Sequence, residues 1–145
     1  MATIKLEVVS PDRVVYANDI AMLIVRSTAG ELGILPRHAP LVTGLIPHAM
    51  RVKLPGEAEE HLLAVAGGFM EVTPEKITVL ASAAEEPEAI DVNRAQKAYQ
   101  RARERIAAFH QGSPPQESDI DVKRAELALQ RAKARLMATK THFDD

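Results

Sequence analysis

Two stretches of this chain are nearly the same peptide. Ile90 to Ile106 reads IDVNRAQKAYQRARERI, and Ile120 to Leu136 reads IDVKRAELALQRAKARL, at a constant offset of 30 residues. In the first, Val92, Ala95, Ala98/Tyr99, Ala102 and Ile106 return every three or four positions. In the second, Val122, Ala125, Ala128/Leu129, Ala132 and Leu136 do the same. That period places them on one face of a helix. Asp91 and Asp121 stand where each helix would begin, offering a carboxylate to the unpaired N–H groups of the first turn. Between the repeats lies Gln111-Gly112-Ser113-Pro114-Pro115-Gln116-Glu117-Ser118. No helix threads it, because proline lacks the N–H donor and clashes with the preceding turn. Two amphipathic helices around a short breaker predict an antiparallel hairpin. Its seam is mostly alanine, which contributes only a small part of the ~1.5–3 kcal/mol gained by burying a leucine or phenylalanine. Such a hairpin needs something to dock on: the rest of the chain, another subunit or a ligand.

The residues before it follow a different rule. Residues 1–88 hold 7 Lys/Arg against 12 Asp/Glu, a net of −5, while residues 89–145 hold 11 against 8, a net of +3. Six of the seven glycines and seven of the nine prolines fall in the first part. Punctuation at that density breaks a chain into short strands. Ile4, Leu6 and Val8 alternate with Lys5 and Glu7, as on a half-buried strand. Ser10-Pro11-Asp12 reads as a turn, and Arg13 to Tyr16 as a second strand. Further strands are expected over Asp19 to Arg26, His48 to Leu54, His61 to Val72 and Ile77 to Leu80. Pro55-Gly56 would turn the chain after the His48 strand, and Gly67-Gly68 would interrupt the His61 one. Gly30 and Gly33 bracket a tight connection. Seven to ten strands at this spacing predict an antiparallel β-sandwich or flattened barrel. The fold class is therefore α+β in two parts: a β-sandwich domain over residues 1–88 and a helical hairpin over 89–145.

Several functions are excluded. The chain has no cysteine, so it has neither disulfides nor thiolate chemistry. No apolar run approaches the ~20 residues of a membrane-spanning helix. The opening MATIKLEVVS lacks the basic-then-apolar pattern of an export signal. A net charge of −2, with no tryptophan and 3% aromatics, argues against nucleic-acid binding. His38, His48, His61, His110 and His142 share no metal-ligand spacing. Gly30-Glu31-Leu32-Gly33 is no phosphate loop, because no Gly-Lys-Ser/Thr follows. Ser10, Ser27 and Ser82 lack a nucleophile context. The residues describe a binding or regulatory module rather than a catalyst, with no catalytic and no metal residues.

Arginines repeat with the helices. Arg94, Arg101 and Arg105 are spaced i, i+7, i+11, and Arg124, Arg131 and Arg135 copy that spacing. Residues seven apart return to nearly the same helix face. Two such stripes either point into solvent, with intrahelical pairs such as Arg101 with Glu104, or converge on an anion. Guanidinium groups bind phosphate bidentately, so a polyphosphate suits the second arrangement.

Three motifs then carry a resemblance. Residues 30–41, GELGILPRHAPL, closely resemble the GELGILPGHAPL signature of the epsilon subunits of F-type ATP synthases. Gly67-Gly68-Phe69-Met70-Glu71-Val72 followed by Ile77-Thr78-Val79-Leu80-Ala81 resembles the GGFLEV and VTVLA strands of that family. Ile90-Asp91-Val92-Asn93-Arg94-Ala95 matches its I/L-D-x-x-R-A motif. The likeness runs in order along essentially the whole chain. One residue departs from it: Arg37 stands where the family usually has glycine.

The resemblance implies a non-catalytic subunit of the central stalk of a proton-translocating ATP synthase. It implies a sandwich bound to the gamma subunit and resting on the c-ring, with Glu31 and His38 sharing a ring-facing loop. It implies a peripheral place on the cytoplasmic face of the cell membrane. The hairpin would be regulatory. Folded down it would bind ATP as an effector; extended, it would enter the alpha/beta hexamer and block ATP hydrolysis. The family's ATP-binding pattern falls on Glu85, Ile90, Asp91, Arg94, Ala95, Arg101, Arg131 and Arg135. Contact with an acidic motif of the beta subunit falls on Arg103, Arg105, Arg124 and Lys133. Two other functions compete with this one: a free-standing nucleotide-sensing adaptor, told apart by the genes around it, and a small β-sandwich hydrolase, told apart by ATP turnover.

Overall fold

The computed structural model describes residues 2–110 and 119–143, with 119–121 as helix backbone only. Ten strands come first: β1 Ile4–Val9, β2 Val14–Ile20, β3 Met22–Ser27, β4 Gly30–Ile34, β5 Leu41–Leu45, β6 His48–Lys53, β7 His61–Val65, β8 Gly68–Val72, β9 Lys76–Ala81 and β10 Ala84–Glu85. A 3-10 turn over Pro87–Ala89 leads to helices α1, Val92–His110, and α2, Asp119–Ala138. The breaker, residues 111–118, lies outside the described residues.

The strands follow one another in space as β10-β7-β6-β3-β5-β8-β9-β1-β2, with β4 on the remaining edge of β3. They bend into a nearly closed sandwich. Every pairing is antiparallel except that of β1 with β9, which is parallel and sets Lys5 opposite Lys76 and Val9 opposite Leu80. Alternation places one side of each strand inward. Leu6, Ile20, Leu23, Ile34, Met50, Leu63, Met70 and Ile77 are almost fully excluded from solvent and form the core.

Four details differ from the sequence expectations. Gly30 and Gly33 do not bracket a loop; both lie in β4, which pairs along its whole length with β3. The turn sits earlier, at Thr28-Ala29. Ser27 Oγ closes it by accepting from the Ala29 N–H and donating to the Gly30 carbonyl. β5 was not expected, because its Thr43 and Gly44 dilute the apolar pattern. β2 runs on to Ile20, so the expected Asp19–Arg26 strand is divided at Ala21. Finally, α2 starts at Asp119, which puts Asp121 inside the first turn rather than at the cap. Asp91 does cap α1: its Oδ1 accepts the Arg94 N–H at 3.1 Å.

The hairpin docks on the sandwich. α2 lies against α1 on one side and against β6 and β7 on the other. The contact is a second apolar cluster of Ala64, Ile90, Ala95, Tyr99, Ala132, Ala134, Leu136 and Ala138. Lys140, at φ +56°, ends α2. The Thr141 N–H bonds back to the Leu136 carbonyl, and the Lys140 N–H to that of Met137. The chain then returns to lay Phe143 edge-on against Tyr99, ring centres 5.3 Å apart. Tyr99 is 2% exposed, and its hydroxyl has no hydrogen-bond partner among the described residues.

Two substitutions test this packing. Gly68 has φ +145°, and a Cβ there would overlap the Leu80 carbonyl of the neighbouring strand. Gly68→Ala is expected to cost about 2 kcal/mol or more in urea unfolding, as strain of this kind does. Tyr99→Phe removes a buried hydroxyl that gains nothing, so unfolding should show equal or higher stability, by up to about 1 kcal/mol.

Candidate regulatory site at the helix–sandwich junction

The two repeats have almost the same sequence and different surroundings. α1 buries one stripe, Ala95, Tyr99 and Ala102. α2 is covered on two sides, so Ala132, Ala134, Leu136 and Ala138 are all buried and the polar residues among them are half-covered. This difference separates the arginines. Arg131 and Arg135 face the sandwich edge, where they line a recess of about 10 Å³ with Ala64, Val65, Ala66, Ala83, Glu85 and Ala134. Arg135 Nε donates to Glu85 Oε1 at 2.7 Å, across 50 residues of sequence. Glu85 is brought there by β10, whose two residues pair with Ala64 and Val65 of β7.

The remaining residues of the expected nucleotide site are distributed around this recess rather than within it. Ile90 and Ala95 are buried in the apolar cluster beneath the start of α1. Asp91 caps that helix, and Arg94 in its first turn is exposed. Arg101 is exposed on the outer face of α1, in an open groove with Asn93, Gln96, Lys97, Gln100 and Glu104. The structure thus brings Glu85, Arg131 and Arg135 together. It leaves Arg101 in a separate cavity, so the stripes do not converge along their full length.

The four basic residues expected to meet another subunit have different surroundings. Arg103 stacks over the Tyr99 ring, its guanidinium carbon 5.5 Å from the ring centre. Arg105 and Arg124 are exposed. Lys133 is half-buried in a cleft of about 370 Å³ between α2 and the sandwich, together with Arg26, Glu31, His48 and Arg51. Glu31 lies 3.8 Å from Arg51, which also makes a two-pronged pair with Glu60.

Glu31 and His38 do not share a loop, contrary to expectation. Glu31 is in β4, opposite Arg26, and His38 lies beyond the other end of that strand. The reason is that the glycines flanking Glu31 pair within the sheet instead of turning. His38 Nδ1 is 2.7 Å from the Ala39 carbonyl, so it braces its own loop.

Two features were not anticipated. His48 lines the cleft that holds Lys133 and is 5% exposed. Its Nδ1–H donates to the Ile46 carbonyl, and its Nε2 accepts the Arg26 N–H at 3.0 Å, an arrangement that requires the neutral ring. Burial pulls its pKa below the ordinary value. No local motif marks a buried histidine, so sequence offered no signal. The second feature is an apolar outer surface. Gly44, Phe69, Leu80 and Val9 are successive partners across β5, β8, β9 and β1. Phe69 and Leu80 remain 63% and 55% exposed, and Val42, one row along, 71%. Alternation in the sequence did hold this signal at Leu80, which stands between the buried Val79 and Ala81.

The chain was compared with known proteins. Residues 3–87 match the family model described as ATP synthase, Delta/Epsilon chain, beta-sandwich domain, and residues 88–140 match its long alpha-helix domain. Among curated relatives, the ATP synthase epsilon chain of Alkalihalophilus pseudofirmus is 51% identical over 111 residues, 77% of this chain and 82% of the relative. That of Bacillus subtilis is 50% identical over 106 residues, 73% and 79% respectively. In fold, the chain is similar to one in the Euglena gracilis mitochondrial ATP synthase structure of OSCP, F1 and c-ring. The TM-score is 0.75 at 24% identity, covering 95% of this chain and 81% of that one.

The His48 arrangement has a pH signature. Its folded pKa lies below the unfolded value near 6.5, so the unfolded chain takes up the proton first. Stability from the neutral ring is complete above that value and is lost as pH falls below it. The urea midpoint is expected to drop between pH 7 and 5, with a shallower drop in His48→Gln.

Proposed function

The chain belongs to the ATP synthase delta/epsilon family, as an epsilon chain and so a non-catalytic subunit, and from that premise we propose how its two halves work in a proton-translocating rotary enzyme. The sandwich serves as the foot of the central stalk. Its exposed apolar surface of Val42, Phe69 and Leu80 is covered by the gamma subunit, because an apolar row rimmed by Glu71 and Thr78 has the make-up of a protein interface. The end carrying Glu31 meets the c-ring. His38 belongs instead with the gamma contact, since its loop runs directly into β5 and Val42. No helix among the described residues is long and apolar enough to cross a membrane. The subunit is held at the cytoplasmic face of the cell membrane through the complex.

The hairpin responds to ATP. This part rests on the gathering of Glu85, Arg131 and Arg135 in one recess. Arg131 and Arg135 neutralise phosphate oxygens through charge-assisted hydrogen bonds. Glu85 presets the Arg135 guanidinium. A recess of about 10 Å³ holds no triphosphate, so α2 shifts outward as the nucleotide enters and Arg94 and Arg101 turn toward it from α1. Ile90, Asp91 and Ala95 fix the start of α1, against which the adenosine lies. ATP binds only the docked hairpin and holds it there by mass action. When ATP is scarce the alanine seam releases, and the hairpin extends into the alpha/beta hexamer and stops hydrolysis. Arg103, Arg105, Arg124 and Lys133, relieved of their docked surroundings, then meet acidic residues of the beta subunit.

Calorimetric titration of ATP into the full chain is expected to give saturable heat. Arg131→Ala with Arg135→Ala should weaken binding by more than about tenfold, since each lost charged hydrogen bond is worth roughly 1.5–3 kcal/mol. Equal affinity in both proteins would remove these arginines from the site.

A further inference from the structure

Arg37 adopts φ +66°, the left-handed region that glycine enters freely and a residue with a Cβ enters only under strain. Its backbone N–H is held by the Pro74 carbonyl at 3.1 Å, and Pro36 stiffens the chain just before it. The turn is therefore fixed, and the residue cannot relax out of it. Among the described residues, nothing offsets the strain. The side chain is exposed, and its guanidinium makes no ion pair or hydrogen bond with any described residue. A strained backbone that the fold does not repay points to a use outside it. The loop also presents Leu35, 55% exposed, and ends where β5 begins, next to Val42 at 71%. An apolar surface with an arginine at its edge has the composition of a protein–protein contact, where arginine is enriched.

We propose that Arg37 is a rim contact of the gamma-binding surface, pairing with a carboxylate of that partner and extending the apolar Val42–Phe69–Leu80 face onto the 35–40 loop. This builds on the stalk function proposed above. An anionic lipid surface is the poorer occupant, because residues 1–88 carry a net charge of −5. The pairing requires the partner to place an Asp or Glu beside an apolar patch. It also gives the contact a salt-dependent component.

The test separates strain from contact. The full chain, Arg37→Gly and Arg37→Lys are each titrated with the purified gamma subunit at low and high salt, and their thermal unfolding is recorded. Arg37→Gly should melt higher than the parent, bind gamma about three- to fivefold more weakly, the range of an exposed ion pair, and lose much of the salt dependence. Arg37→Lys should keep the charge-dependent part. Arg37→Gly binding gamma as tightly as the parent, whatever its melting temperature, would overturn the proposal. So would weaker binding of Arg37→Gly to phosphatidylglycerol vesicles with no change toward gamma. If the parent itself fails to bind gamma, the stalk function fails first and this contact with it.

Discussion

The docking of α2 is the constraint on which the rest of the arrangement depends. It is a helix with two covered sides, and its contact residues are mostly alanine. Small side chains let the backbone of α2 come close to both α1 and the sheet. They also give that close approach little transfer free energy. Leu136 and Tyr99 are the largest fully covered residues in the contact, and Phe143 folds back to widen it. The sandwich, filled with Leu, Ile, Val and Met, is held far more strongly. One chain therefore contains a firm half and a half whose position is set by small differences.

Charge acts in the same direction as packing. The sandwich is acidic and the hairpin basic. Where they meet, Arg135 takes Glu85, and Lys133 shares a cleft with Glu31. Arg135 and Glu85 are about a third exposed, so their contact is worth at most about 1 kcal/mol and is screened by salt. Forces of that size orient the hairpin without locking it.

Much of this was legible in the sequence. The repeated three-and-four spacing located both helices, and Asp91 was recognisable as a cap because it precedes the first periodic residue. Alternation located β1, and Pro55-Gly56 marked the end of β6. What periodicity cannot report is which partner a face meets. Arg101 and Arg131 occupy the same repeat position, yet one lies in an open groove and the other against the sheet edge, because only α2 has a second neighbour. The GELG segment misled for a related reason. Glycine is read as a turn, whereas Gly33 pairs in the sheet opposite Ile24, with the Met22 side chain close beside it. The separation of Glu31 from His38 follows directly from that strand. The neutral, buried His48 and the parallel pairing of β1 with β9 depend on contacts distant in sequence, which no local pattern encodes.

That parallel pairing has a consequence for assembly. Strand β1 is sealed against β9, far along the sequence, with Lys5 beside Lys76. The seal nonetheless lies wholly upstream of the first helix. Once closed, the barrel is topologically finished, and no strand must be surrendered for the tail to swing away. The closure of the barrel therefore does not depend on where the two helices lie.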